Sequence, residues 1–452
     1  MARWLGAAIA ALALFTGAGA AAEHAAPTAE HVHAAERARF GFGELRRGAS
    51  GMTGPNAANS NEAKVVPFGL PPLFASNNAP DPEQWVARRT ELVRLVEDNW
   101  VGRIPDAVSQ FRIVWSKAPA EAPRGAVAEQ WVGQVIAPDG RMGPTIDAAI
   151  TFPAQAEGAP ALIDYTYIWP GGRAPRLGGP AQPDSVQMAL SRGFVHVAYR
   201  PQMLQADSAA QMSEGIIGLA RWPREQTDWG ALRAWAWGAS RLREELARDP
   251  RVNGERISLQ GHSRFGKGVL VAAAFDLAFA DANVSSSGAG GAKLMRRDFG
   301  ERWENLAGAG EFHWFTPNVM AYATGSETTA NLPVDAHTLI ALRAPRPLFI
   351  TSGVGDKGDA WVDPTGMWQA VRAAQPAWAL FGSAVPSDSM PEPGSDPDAF
   401  YKLGWYQHTG GHVAWPGYAE FYEHEARFAG PRTGMLPYKD PVKRYRKRRG
   451  LA

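Results

Sequence analysis

The sequence predicts an α/β fold, a mostly parallel central sheet with helices on both faces. Three observations predict it. Short buried-type apolar runs near 161–167, 193–199, 282–285 and 346–352 are interleaved with amphipathic helical stretches at 229–246, 264–275 and 419–428. Such alternation is what parallel strands joined by helical crossovers produce. Ahead of them, residues 110–117, 130–137 and 146–153 alternate apolar and polar side chains, as expected of an antiparallel lead into the same sheet. Finally, 256–275 reads as a strand, an abrupt turn carrying Ser263, and a helix.

Along the chain, residues 1–20 open on Met1-Ala2-Arg3-Trp4, continue apolar to Phe15 and end Ala18-Gly19-Ala20. A charged start, apolar middle and small-residue site make a secretory signal. The apolar run falls short of the roughly 20 residues a membrane span needs, so a secreted or periplasmic protein without a membrane span is expected. Residues 21–62 are rich in Ala, Gly, His, Asn and Arg with little apolar period, and read as a flexible lead-in in which His24, His31 and His33 are merely polar. A single domain is expected over 63–430, because 452 residues with 45% hydrophobic content suffice for one large core.

Within that domain a helix is predicted over 81–99, with Trp85, Leu92, Leu95 and Val96 on one stripe. The strand at 161–167 runs into a loop at Pro170-Gly171-Gly172, where this kind of fold usually donates a second oxyanion amide. Residues 201–225 read as an irregular excursion near the site, and the helix from Trp229 to Leu246 is expected to be capped by Thr227 or Asp228. The Pro- and Ser-rich stretch 383–400 reads as a loop insertion, and 431–452 as a basic, solvated tail. The 17 tryptophans are assigned to the core by default. With no cysteine there is no disulfide, thiolate metal site or thiol nucleophile, and neither a metal nor a cofactor is expected. A net charge of +1 gives no global field for nucleic acid. Oligomeric state is not legible, with a monomer as the default.

The chemistry is concentrated at Gly261-His262-Ser263-Arg264-Phe265-Gly266-Lys267-Gly268. A nucleophile elbow holds its serine at a strained backbone angle and needs small neighbours so that strand and helix can approach. Gly261, Gly266 and Gly268 supply that room, although Phe265 stands where the G-x-S-x-G form has glycine. The following helix points its first amides at the hydroxyl, where they can stabilise an oxyanion. A histidine in a late loop, His412 in Tyr406-Gln-His-Thr-Gly-Gly-His412, follows the last strand, with His408 as local competitor. Aspartates after the 346–352 strand complete the order serine, acid, histidine of an α/β-hydrolase three-layer sandwich.

Gly-His-Ser-Arg followed by Gly-Lys resembles the signature of the glucuronoyl esterases, a carbohydrate esterase family, and similar segments run through most of the chain. The resemblance implies a serine carboxylesterase acting on the ester between 4-O-methyl-glucuronic acid of glucuronoxylan and lignin alcohols. It implies Ser263 as nucleophile, His412 as base, and Arg264 as an oxyanion ligand. Lys267 and Glu301, the latter in Phe299-Gly300-Glu301, would contact sugar hydroxyls. Trp361 would pack on the sugar, and Trp314 in Phe312-His313-Trp314-Phe315 would line the cleft. Family members often place the catalytic acid as Glu before Ser-Gly-x-Gly-Gly, where this chain has Ser286. A serine cannot hold a charged imidazole. The acid is therefore assigned to Asp359, in a segment like the family's Asp-x-Trp-x-Asp-Pro, with Asp356 in reserve and Asp363 as a turn or cap. His337 is read as structural, bonded to backbone or Asp335. Two other readings stay open: a different carboxylesterase, for acetyl or aryl esters, on the same scaffold, and a non-catalytic sugar-binding relative.

Overall fold

The structure is a computed structural model that describes residues 27–74, 81–167, 184–384, 388–395 and 401–429. The signal-like start, the loop at 170–172 and the basic tail lie outside the described residues.

Nine strands form one sheet among the described residues: β1 (Arg112–Ala120), β2 (Ala126–Ile136), β3 (Met142–Pro153), β4 (Ala159–Tyr165), β5 (Val195–Tyr199), β6 (Val252–His262), β7 (Ala282–Ser285), β8 (Leu348–Gly353) and β9 (Leu403–His408). Their order is β1-β2-β3-β5-β4-β6-β7-β8-β9. The first three pair antiparallel and β3 pairs antiparallel with β5; from β5 to β9 every neighbour is parallel. Burial explains the two halves. The antiparallel strands β2 and β3 bury alternate residues over much of their length, whereas β4, β7 and β8 are buried almost throughout and read as continuous apolar or small-residue runs. The α/β-hydrolase arrangement predicted from the alternation is the one found.

Helices cover the sheet. Pro82–Val96 is capped by Asp81, whose carboxylate accepts the Gln84 amide at 2.8 Å, and has Pro82 in its first turn. It ends before the expected residue 99 because the chain widens into a turn over Glu97–Val101, closed by the Gly102 amide on the Glu97 carbonyl at 2.9 Å. The helix Ala231–Leu246 starts later than the sequence suggested. Gly230 is its cap residue, and Asp228 is spent instead on a fork with Arg221, at 2.8 and 2.5 Å. Its buried Trp235 ties two strands at once, since the Tyr165 and Tyr199 hydroxyls both donate to the Trp235 carbonyl, at 3.3 and 3.2 Å. Eleven of the 17 tryptophans are buried among the described residues, eight of them fully, including Trp85, Trp131, Trp303 and Trp405, so the core takes the larger share of this residue's unusual abundance.

The flexible lead-in expected over 21–62 is corrected for its described part. Ala29–Phe40 is a helix capped by Thr28 and ended by Gly41 in the left-handed region. It docks through Val32, through His33, whose Nε2 lies 2.9 Å from the Ala307 carbonyl, and through Glu36. The Glu36 carboxylate accepts both arms of the fully buried Arg224, at 2.7 and 2.9 Å. The sequence concealed this because the helix's face is held by polar pairing with a residue 188 positions away rather than by an apolar stripe. Further along, the Asn59 carbonyl accepts the Gly300 amide at 2.9 Å, and Glu62 pairs with Arg297.

Glu36→Ala should cost about 3 kcal/mol of unfolding free energy in urea, because removing one member of a buried pair strands the other charge. A loss below about 0.5 kcal/mol, the range of an ordinary surface substitution, would show that this helix is not part of the cooperative fold.

Candidate active site

Four adjacent parallel strands deliver five residues to one edge of the sheet. β6 ends in Ser263, β7 in Ser285 and Ser286, β8 in the turn that carries Asp359, and β9 in the loop that carries His412. The carboxyl ends of parallel strands are where such sheets collect their sites. Ser263 has φ 58 and ψ −127, an unfavourable conformation for a residue with a Cβ, held by its amide on the Ser285 carbonyl at 2.9 Å and by the helix Arg264–Phe275 that starts next to it. That is the geometry of an elbow. Gly261 is needed beneath it, since a Cβ there would press on the Phe265 carbonyl carbon at 2.8 Å.

The Asp359 carboxylate is buried and fully used. Oδ1 accepts from His412 Nδ1 at 2.7 Å. Oδ2 accepts from the Ser286 hydroxyl at 2.7 Å, the Gly353 amide at 2.7 Å and the Ser352 hydroxyl at 3.3 Å. Burial pushes the carboxyl pKa up, but the His412 hydrogen bond and charge, with the Ser286 and Gly353 donors, outweigh it and leave Asp359 below the ordinary carboxylate value. Asp356 sits exposed on the preceding turn, and Asp363 caps the helix Pro364–Ala374 while pairing with Arg297 at 2.8 Å. His408, buried at the end of β9, is passed over by Asp359 in favour of His412, and His337 Nε2 lies 2.9 Å from the Pro71 carbonyl. The His412 loop comes this close because the Val354 amide bonds to the Gly410 carbonyl at 3.0 Å, and any side chain at Gly353 or Gly411 would overlap the facing backbone.

His262 joins the serine to the histidine. Its ring centroid is 4.5 Å from that of His412, its Nδ1 is 3.1 Å from the Ser285 hydroxyl, and it is also bonded to the His412 backbone. Burial, then the neighbouring His412, depress its pKa to about 3, so it is a neutral ring at ordinary pH.

Beside the elbow is a cluster of charges. Lys267 Nζ donates to the Ala289 carbonyl at 2.6 Å and pairs with Glu301 at 3.2 Å, both side chains buried. Glu301 and Trp361 are brought together backbone to backbone, the Glu301 amide bonding to the Trp361 carbonyl at 2.8 Å. Trp314 is a correction. It was expected to line the cleft, but it is buried, and its indole N–H is spent on Asp207 at 2.6 Å. Its ring lies instead under the two cations, 5.3 Å from the Arg264 guanidinium and 5.5 Å from Lys267 Nζ. Arg264 donates to Asp207 at 2.8 Å.

Three members of the site went unnoticed in the sequence. Asp207 lies in the irregular 201–225 excursion, whose placement near the site was the only hint. Tyr167, just past β4, puts its hydroxyl 3.3 Å from the His262 carbonyl and bonds the Ser263 and Arg264 side chains; burial raises its pKa to about 12, so it stays a donor. Glu311 has a buried Oε2 without a protein partner, and burial followed by the charge of Glu301 raises its pKa to about 8. Neither residue has a periodic or motif signal. Among the described residues, no group of His, Asp and Glu is placed to hold a metal ion.

A strained serine, a carboxylate-bound histidine and an adjacent arginine can carry out acyl transfer through a covalent serine ester. Comparison with known proteins gives that chemistry a family. The family model described as glucuronyl esterase of fungi matches residues 139–382. The chain belongs to the glucuronoyl esterase family. Among solved structures, a glucuronoyl esterase from Teredinibacter turnerae superposes with TM-score 0.79 at 35% identity, over 88% of this chain and 99% of that one. One from Solibacter usitatus does so with TM-score 0.70 at 28% identity, over 82% and 99%. Among curated relatives, a carbohydrate esterase, MZ0003, of an unknown prokaryotic organism is 27% identical over 82% of this chain and 92% of its own length. A 4-O-methyl-glucuronoyl methylesterase of Cerrena unicolor is 27% identical over 82% and 70%. As a glucuronoyl esterase family member the chain is a carboxylic ester hydrolase.

Glu311→Gln tests the charge cluster. A carboxyl whose folded pKa is raised to about 8 from an ordinary 4.5 keeps its proton while the unfolded chain releases it, so stability falls as pH rises between those values. The difference in unfolding free energy between variant and wild type should therefore move in the variant's favour from pH 5 to pH 8; parallel pH profiles would contradict the assignment.

Proposed function

We propose that the chain hydrolyses the ester between the carboxyl of 4-O-methyl-glucuronic acid in glucuronoxylan and a lignin alcohol, through an acyl-enzyme on Ser263. The observation that carries the proposal is the Asp359–His412 hydrogen bond of 2.7 Å at the sheet edge that also holds the strained Ser263. His412 takes the Ser263 proton as Oγ attacks the ester carbonyl, and Asp359 stabilises the imidazolium that results. The Arg264 amide and guanidinium hold the oxyanion, a kind of contact worth roughly 3 kcal/mol when one donor is lost. Collapse expels the alcohol, protonated by His412. Water, deprotonated by the same ring, then attacks the acyl-enzyme and frees the uronic acid.

Substrate choice rests on the neighbouring polar cluster and on the relatives' activity. Lys267 and Glu301, one donor and one acceptor fixed by their mutual bond, suit adjacent ring hydroxyls. Glu311, partly exposed but with a buried Oε2 and its proton held, adds a second carboxyl beside Glu301. Trp361, partly exposed beside Glu301, supplies an apolar face. The reading as a binding relative that has lost its acid is disfavoured, because Ser286 donates to the Asp359 that replaces the missing glutamate. Export fits an insoluble wall substrate: the signal-like residues 1–20 supply the address, and no described helix is long and apolar enough to cross a membrane. The catalytic domain on this view takes in the helix at 29–40 together with 63–430.

Purified enzyme should hydrolyse benzyl glucuronate in preference to aryl acetates. Ser263→Ala should abolish turnover, and Asp359→Asn should lower kcat roughly ten-thousand-fold through loss of the correct imidazole tautomer. Preference for the acetates would move the chain to another ester class on the same scaffold, and no turnover on either would refute the esterase mechanism.

A further inference from the structure

Asp207 is a carboxylate that the mechanism above does not use, yet it is among the most heavily engaged groups near the elbow. Its side chain is 6% exposed, while that of Arg264 is 44% exposed. Oδ2 accepts from Arg264 Nη1 at 2.8 Å; Oδ1 accepts from the Trp314 indole at 2.6 Å and lies 3.1 Å from His313 Nε2. Trp314 and His313 are themselves buried, on the short turn Phe312–Trp314. Two buried rings thus hold one oxygen of the carboxylate, and the other oxygen is presented to the more exposed Arg264 side chain.

Left alone, a half-exposed arginine keeps most of its rotamer freedom and spends little time in any one place. Arg264 leaves the backbone immediately after Ser263, so its guanidinium can face solvent as readily as the serine. Three contacts remove that choice: the Asp207 bond, the Trp314 face 5.3 Å from the guanidinium carbon, and the Tyr167 hydroxyl; of these only Asp207 brings a full opposite charge. Burial by itself would raise the Asp207 pKa, but the His313, Arg264 and Trp314 donors together hold it well below the carboxylate range, so the anchor keeps its charge throughout the working pH range of an esterase.

We propose that Asp207 is a positioning residue that holds the Arg264 guanidinium beside Ser263, with Trp314 and His313 as its fixed base, so that positive charge is already in place when the oxyanion forms. The excursion at 201–225 is thereby the support of the oxyanion site rather than a surface loop. Preorganised charge lowers a barrier more than charge that must be gathered during reaction. The proposal rests on the esterase reading and deepens it.

The test is a double-mutant cycle on glucuronate ester hydrolysis. Asp207→Asn keeps the size of the side chain and one oxygen for Trp314 and His313. It should lower kcat about tenfold or more with KM changed less than about threefold, since the missing interaction matters in the transition state. In an Arg264→Gln background the same Asp207→Asn change should leave kcat within about twofold, because its target is gone. Full additivity of the two losses, or a loss confined to KM, would overturn the proposal and leave Asp207 a structural residue. Should Asp207→Asn fail to fold, Asp207→Glu asks the same question with charge retained and the carboxylate displaced by one methylene. A kcat loss that vanishes in the Arg264→Gln background supports the proposal, and unchanged kcat overturns it. Wild type inactive on the ester would refute the esterase reading itself, whereas active wild type with an unaffected Asp207→Asn would refute only this inference.

Discussion

The Asp359 carboxylate is the constraint on which the rest of the site depends. It is buried, where an unpaired charge would be costly, and it is made tolerable by four donors: His412, Ser286, Gly353 and Ser352. The four donors come from three pieces of the sheet edge. Ser352 and Gly353 end β8, Ser286 follows β7, and His412 belongs to the loop after β9. The carboxylate therefore joins three strand ends as well as orienting an imidazole, and the order of those strands next to β6 sets the elbow serine alongside. Ser286 bears the cost of this arrangement in its own backbone, with φ 42, and has its amide pinned to the Thr351 carbonyl at 2.8 Å.

A second layer of charge lies on the other side of the elbow. Arg264 and Lys267 leave the same helix one turn apart, and both lie over Trp314. Asp207 takes the first and Glu301 the second. The two pairs differ in exposure: the Lys267–Glu301 pair is buried on both sides, whereas Arg264 is nearly half exposed above a buried Asp207. Glu311 lies within electrostatic reach of both pairs and gives way by keeping its proton.

Much of this was legible in the sequence, and the reason is local. The strands announced themselves by alternation or by short apolar runs, the elbow by glycines packed around Ser263, and the carboxylate that meets His412 by Asp359 standing beside Trp361 and Asp363-Pro364. What escaped notice is held by contacts between distant positions with no periodic signal. Arg264 and Asp207 are 57 residues apart, and Glu36 and Arg224 are 188 apart. Polar pairing of that kind leaves no stripe, which is why the helix at 29–40 passed for a loose leader. Trp314 was misjudged for the opposite reason. Its type suits a sugar face, but its indole N–H found a buried carboxylate first.

The most direct measurement of the central claim is proton NMR of the His412 ring. A proton shared between Nδ1 and a buried carboxylate is strongly deshielded and exchanges slowly enough to be seen. The account predicts such a resonance in wild type, absent in His412→Ala and lost or moved far upfield in Asp359→Asn, while the Asp281–His424 pair, bonded at 2.6 Å, keeps its own signal in all three. A His412 resonance that persists unchanged in Asp359→Asn would mean that another group holds the imidazole, and the account of the displaced acid would fall.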